Sequence, residues 1–262
     1  MEGENMKAII LAGGLGTRIS EETHLRPKPM IEIGGKPILW HIMKIYSSYG
    51  VNRFIICCGY KGYLIKEFFA NYLMHTSDVT INIKTNEIKI HRKYAEPWEV
   101  TLVDTGENTQ TAGRLKRVSE YIEEKESLCF TYGDGLSDVN IKELIAFHNS
   151  HGKKATVTAV MPPGKYGALK IEDTKIKSFT EKPIGDGGYI NGGFFVISPN
   201  CLKLIKGDES SWENDVLPIL VSQQELIGYK HKGFWQPMDT LRDKNLLEEM
   251  WTNKKAPWKV WK

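Results

Sequence analysis

One stretch limits the possible folds of this chain more than any other: Lys7-Ala8-Ile9-Ile10-Leu11-Ala12 runs straight into Gly13-Gly14-Leu15-Gly16-Thr17-Arg18. A short apolar run, β-branched at its centre and closed by glycines, predicts a strand buried on both faces. Three glycines within four positions let the backbone turn tightly and aim successive N–H groups at an anion. Thr17 adds a hydroxyl, and Arg18 a planar, permanently charged fork. Together they suit a nucleoside triphosphate. The competing reading is a glycine-rich turn that only packs.

Pro27-Lys28-Pro29 counts against that plainer reading. A lone lysine framed by two residues of fixed φ is expected to lie on a stiff, extended segment. Two neighbouring motifs are excluded. A P-loop needs Gly-Lys-Ser/Thr after its glycines, and the dinucleotide fingerprint needs G-x-G-x-x-G; neither occurs.

At 262 residues the chain can bury a substantial core, so one main α/β domain with a small appendage is expected. A net charge of +3 without a basic stripe leaves no nucleic-acid footprint, so any attraction for phosphate must be local. No apolar run approaches the roughly 20 residues of a membrane span. The polar start, Met1-Glu2-Gly3-Glu4-Asn5, does not read as a signal peptide, so a cytoplasmic protein is expected. Cys57, Cys58, Cys129 and Cys201 lack metal-ligand spacing and read as buried free thiols. None of the seven histidines shows ligand spacing, and all are read as structural.

Helical apolar spacing from Ile38 to Tyr46 ends near Gly50, followed by a buried strand at 54–58, a glycine turn and a second helix through Asn71. This alternation predicts a parallel sheet with helices on both faces and ligands beyond the strands' carboxyl ends. Period-two alternation over 79–103, with Thr85-Asn86 as its turn, reads as a hairpin or as an edge of the main sheet. The polar stretch 103–115 reads as a binding loop leading into a helix. Strands at 128–132 and 155–160 flank a helix from 141, and an antiparallel pair is expected around 165–183. Gly133-Asp134-Gly135 places a carboxylate at a strand end, which suits a hard cation better than packing; an Asp-Gly turn is the alternative. In Trp235-Gln236-Pro237-Met238-Asp239-Thr240, Thr240 or Asp239 caps the following helix, and the alternative for Asp239 is to supply a second carboxylate. Trp251, Trp258 and Trp261 indicate a packed tail.

The stretches LAGGLGTR and RPKPMIEIGGKPILWH, with Gly133-Asp134-Gly135, Glu181-Lys182-Pro183 and WQPMDT at 235–240, resemble the signature of the sugar-1-phosphate nucleotidylyltransferases. The resemblance covers almost the whole chain. It implies a Rossmann-like, mostly parallel mixed sheet flanked by helices, with a smaller antiparallel sugar-side portion and a projecting hairpin. It also implies a nucleotide half at 6–135, a sugar half at 136–262 and an insertion at 75–103. The loop at 104–115 departs from the pattern of the thymidylyl and uridylyl enzymes and resembles the branch that joins CTP to glucose 1-phosphate.

By that resemblance Leu11, Ala12, Gly13, Gly14, Leu15, Gly16, Thr17, Arg18, Lys28, Thr109, Arg114 and Gly133 meet the nucleotide. Tyr166, Gly167, Glu181, Lys182, Asn191 and Gly192 meet the sugar phosphate, and Asp134 and Asp239 hold Mg2+. Arg18, Lys28, Asp134, Lys182 and Asp239 are the expected catalytic set. They would serve an in-line attack of the sugar phosphate on the α-phosphorus, with pyrophosphate leaving. The family further implies a homohexamer and a role in making dideoxysugars for surface polysaccharide, the O-antigen of lipopolysaccharide. Two alternatives stand beside this: the same chemistry with UTP or dTTP, and a noncatalytic nucleotide-sugar sensor on the same fold.

Overall fold

The computed structural model describes residues 6–92, 94–123, 126–162, 168–172, 174–180 and 188–262. Seven strands form its central sheet: β1 (Lys7–Leu11), β2 (Arg53–Cys58), β3 (Glu99–Asp104), β4 (Leu128–Tyr132), β5 (Ala155–Val160), β6 (Ile190–Ile197) and β7 (Leu226–His231). Their order is β7-β5-β6-β4-β1-β2-β3, and β6 alone among them runs antiparallel to its neighbours. The mostly parallel sheet expected from the sequence is therefore present.

The apolar runs are continuous because both faces are covered. Ala8, Ile10, Ile56, Cys129 and Val196 belong to one core, and Ile9, Leu11, Ile55, Phe130 and Phe195 to the other. Helices α1 (Ile38–Ser47), α2 (Gly62–Ala70), α3 (Thr111–Arg117), α4 (Ile141–His151), α5 (Leu217–Ser222) and α6 (Leu241–Thr252) flank the sheet. All four cysteines are buried free thiols, as the sequence indicated.

The alternation over 79–103 resolves into two different things. Asp78–Asn82 and Glu87–Arg92 make a separate antiparallel ribbon whose turn residue Asn86 has φ of 56°, while Glu99–Asp104 joins the main sheet as its edge strand. Ile83 on the ribbon is 86% exposed. The antiparallel pair expected near 165–183 is Ala168–Glu172 with Lys175–Thr180.

One local expectation fails. Pro27 is extended, with φ of −65° and ψ of 149°, but Lys28–Met30 is a 3-10 turn rather than an extended segment. Met30 N donates to the Pro27 carbonyl and Ile31 N to that of Lys28, at 2.8 and 3.1 Å. Pro29 fits such a turn because its missing N–H falls where none is needed. The turn aims the lysine inward.

The tail closes over α1. His41, wholly buried, sits edge-on to Trp251, donates through Nε2 to the Ile33 carbonyl at 2.8 Å and accepts at Nδ1 from Trp258 Nε1 at 3.3 Å. That assignment fixes it as a neutral tautomer. Burial pushes its pKa from 6.5 down to about 4, and burial similarly lowers His148 to about 4. In the unfolded chain both bind a proton that the folded chain refuses. Their stabilisation is thus complete above pH 6.5 and drains away as pH falls towards about 4. For His41 alone this amounts to about 3 kcal/mol. Urea midpoints are expected to decline between pH 6.5 and 5, where most carboxylates are still ionised, and His41→Gln is expected to flatten the slope; a flat wild-type profile would contradict the neutral assignment.

Candidate active site

The carboxyl ends of β1, β2, β3 and β4 all open on one side, where loops can gather around a ligand. A cavity of about 600 Å³ lies there, walled by residues 11–18, 28–29, 107–111, 114 and 132–134. Every residue that the sequence assigned to the nucleotide lines it. Gly133 is there because nothing larger fits: a Cβ at that position would stand 2.5 Å from the Leu11 carbonyl oxygen.

Arg114 holds two walls of this cavity together. Its side chain is buried, with Nη1 donating to the Gly106 carbonyl at 2.7 Å and Thr105 Oγ1 at 2.8 Å, and Nη2 to the Glu107 and Gly13 carbonyls at 3.0 and 3.1 Å. Burial lowers its pKa from the ordinary guanidinium value. The glycines explain the access: a Cβ on Gly13 would fall 2.0 Å from Nη1, and one on Gly59 2.5 Å. The sequence pointed to Arg114 for a nucleotide contact; the geometry adds a buried clamp between the glycine loop and the loop at 105–107.

One backbone hydrogen bond and three ion pairs bring the charged groups together. Met238 N donates to the Asp134 carbonyl at 2.8 Å, which lays the strand Trp235–Pro237 beside Gly135–Ser137 and puts Asp239 next to Asp134. Lys28 Nζ lies between the two carboxylates, 2.6 Å from Asp134 Oδ2 and 2.7 Å from Asp239 Oδ1. Arg18 Nη1 reaches Asp239 Oδ2 at 2.7 Å, although Arg18 itself is 71% exposed. Helix capping falls instead to Thr240, which forms a capping box with Asp243. The Asp239 carboxylate is thereby left free to meet Lys28 and Arg18, with its backbone N–H anchored on Asp243 Oδ2 at 3.1 Å.

The donor set suits a hard dication. Two carboxylate oxygens already converge on one cationic point, and among the described residues no set of three or more metal-ligating side chains exists. A site of two protein carboxylates that leaves its other positions to water and phosphate oxygens is the usual arrangement for such an ion.

On the far side of Asp134, a shallow pocket is lined by Tyr132, Asn191, Gly192, Gly193 and Trp235. Trp235 Nε1 donates to the Gly192 carbonyl at 2.7 Å, and Asn191 Nδ2 to the Tyr132 hydroxyl at 3.1 Å. Tyr166, Gly167, Glu181 and Lys182, also assigned to the sugar phosphate from sequence, lie outside the described residues. Sequence reasoning missed Tyr132 and Glu213, whose side chains meet at 2.5 Å across 81 positions of chain. No local pattern announces such a pair.

Comparison with known proteins adds a family to this geometry. A nucleotidyl transferase family model matches residues 7–243. The chain is 61% identical over 256 residues to the glucose-1-phosphate cytidylyltransferase of Salmonella typhi, covering 98% of this chain and 100% of that protein. It is 31% identical to a mannose-1-phosphate guanyltransferase of Candida albicans, over 92% of this chain and 63% of the other. The structure of an inositol-1-phosphate CTP transferase from T. maritima superposes with a TM-score of 0.68 at 18% identity, covering 100% of both chains, a likeness of fold.

Proposed function

We propose that this chain, which belongs to the nucleotidyl transferase family, moves the cytidylyl group of CTP onto glucose 1-phosphate, giving CDP-glucose and pyrophosphate. One observation carries the mechanism: Lys28, in the wall of the nucleotide cavity, stands between Asp134 and Asp239, and Asp134 borders both that cavity and the Asn191 pocket. Cations and carboxylates of this kind serve a reaction between two anions.

In this reading the glycine loop presents its N–H groups to the triphosphate and Thr109 lies at the base-side wall. Arg18 and Lys28 offset the repulsion between the two phosphates and neutralise the departing pyrophosphate, and Lys182 does the same for the sugar phosphate. Asp134 and Asp239 would hold Mg2+. When bound, that ion acts as a Lewis acid and a template for phosphate oxygens. Glu181, Asn191, Gly192, Tyr166 and Gly167 complete the sugar side. The first half of the chain thus serves mainly the nucleotide and the second mainly the sugar. No covalent enzyme intermediate is required, because the sugar phosphate supplies the nucleophile.

The finer parts of the proposal concern setting. A homohexamer gives the exposed isoleucines of the ribbon, Ile81, Ile83 and Ile88, a surface to cover. A cytoplasmic enzyme feeding dideoxysugars into O-antigen of lipopolysaccharide fits the substrates; no described helix is long and apolar enough to cross a membrane. The reaction itself is tested by incubating the protein with CTP, glucose 1-phosphate and Mg2+ and weighing the product by mass spectrometry. CDP-glucose with an equal amount of pyrophosphate is expected. Binding of CTP without any product would favour the sensor reading.

A further inference from the structure

The sugar-side pocket contains a hydrogen-bond chain whose proton directions are fixed by groups outside it. Tyr132 donates to Glu213 Oε1 at 2.5 Å, while Thr111 Oγ1 and Ser211 Oγ donate to Glu213 Oε2 at 2.7 and 2.9 Å. The Glu213 carboxylate offers only lone pairs, so Thr111 donates to it while its own oxygen accepts from Trp212 N at 2.8 Å. Asn191 is oriented as firmly: its Oδ1 accepts from Gly193 N at 2.8 Å, so its Nδ2 faces the Tyr132 oxygen. The Tyr132 ring is held edge-on to Phe130 and Phe195, with centroids 5.7 and 6.0 Å away.

We propose that Glu213 is a positioning residue for sugar selection, committing the Tyr132 proton away from the pocket so that the phenol presents an acceptor and Asn191 a donor to neighbouring sugar hydroxyls. The inventory supports this. A hydroxyl has one proton and two lone pairs; Glu213 takes the proton and Asn191 one lone pair, and among the described residues nothing takes the other. A phenol keeps its proton at neutral pH, and the Glu213 carboxylate is the acceptor that this proton meets. Glu213 lies on the turn Trp212–Val216, and its other oxygen holds Thr111 of the nucleotide wall. One carboxylate therefore orders both substrate walls.

The test uses Glu213→Gln, which keeps the shape. Its amide oxygen should take the Thr111 and Ser211 side, where two donors point, leaving the NH2 to donate to Tyr132. The phenol would then turn its proton into the pocket. The inference rests on the cytidylyl-transfer reading and is read in full-length enzyme with glucose 1-phosphate and its monodeoxy analogues. Expected is a rise of about tenfold in KM for glucose 1-phosphate, with the KM for CTP within about twofold and kcat little changed. One deoxy analogue, lacking the hydroxyl that donates to Tyr132, should lose most of its handicap relative to glucose 1-phosphate in the variant. Tyr132→Phe should raise the same KM, and adding Glu213→Gln to it should have no further effect. Full additivity of the two changes, or an equal rise in both KM values, would overturn the role. A wild-type protein that releases no pyrophosphate would remove the underlying reading, and this role with it.

Discussion

Lys28→Met is expected to lower turnover by roughly 10²–10³-fold while leaving the fold intact, the usual loss when one preorganised charge partner of a transition state is removed. The side chain is 9% exposed and touches two carboxylates, so its contribution extends beyond catalysis. Without it Asp134 and Asp239 face one another with, among the described residues, Arg18 alone paired to either. The ligand-free variant should lose about 2 kcal/mol of stability. A divalent cation should then stabilise the variant more than it stabilises the parent, because it takes the place of the missing ammonium. Thermal melts with and without Mg2+ check this, and a smaller metal shift in the variant would show that the two carboxylates do not form one cation site.

The second large effect concerns Arg114. Arg114→Lys keeps the charge but not the fork, and an ammonium cannot serve acceptors spread over Gly13, Thr105, Gly106 and Glu107 at once. The carbonyls left without partners are buried or half-buried. A loss of about 3–5 kcal/mol is expected, comparable to breaking a buried charged network. In a domain of this size that lowers the melting temperature by roughly 10 °C. Because the clamp joins both loops of the nucleotide wall, the KM for CTP should rise more than that for glucose 1-phosphate. A variant that melts with the parent would show that the guanidinium contacts are dispensable.

The fold was legible wherever burial was two-sided and local. The β1 run and the helix from Ile38 follow from spacing alone, and the strand at 155–160 falls where its apolar run lies. Cross-chain partnerships were not legible. Asp134 and Asp239 are 105 positions apart and are brought side by side by the pairing of Trp235–Pro237 with Gly135–Ser137, the Met238-to-Asp134 hydrogen bond and the shared Lys28. Asp239 reads as a helix cap or as a second carboxylate, and the cap falls to Thr240, the other residue the sequence offers for it. The lysine turn was misread because two prolines fix φ but leave ψ to the surroundings. Glu213 carried no signal at all, since its value lies in three donors contributed by residues 111, 132 and 211.

The most direct measurement is a competition: CTP, UTP, dTTP and GTP together in one vessel with limiting glucose 1-phosphate and Mg2+, the nucleotide sugars being separated and quantified, with Lys28→Met run alongside. CDP-glucose is expected to dominate and to fall with the variant to roughly a hundredth or less. Dominance of another nucleotide sugar, or equal product from parent and variant, would contradict the assignment of CTP or of the Lys28 site.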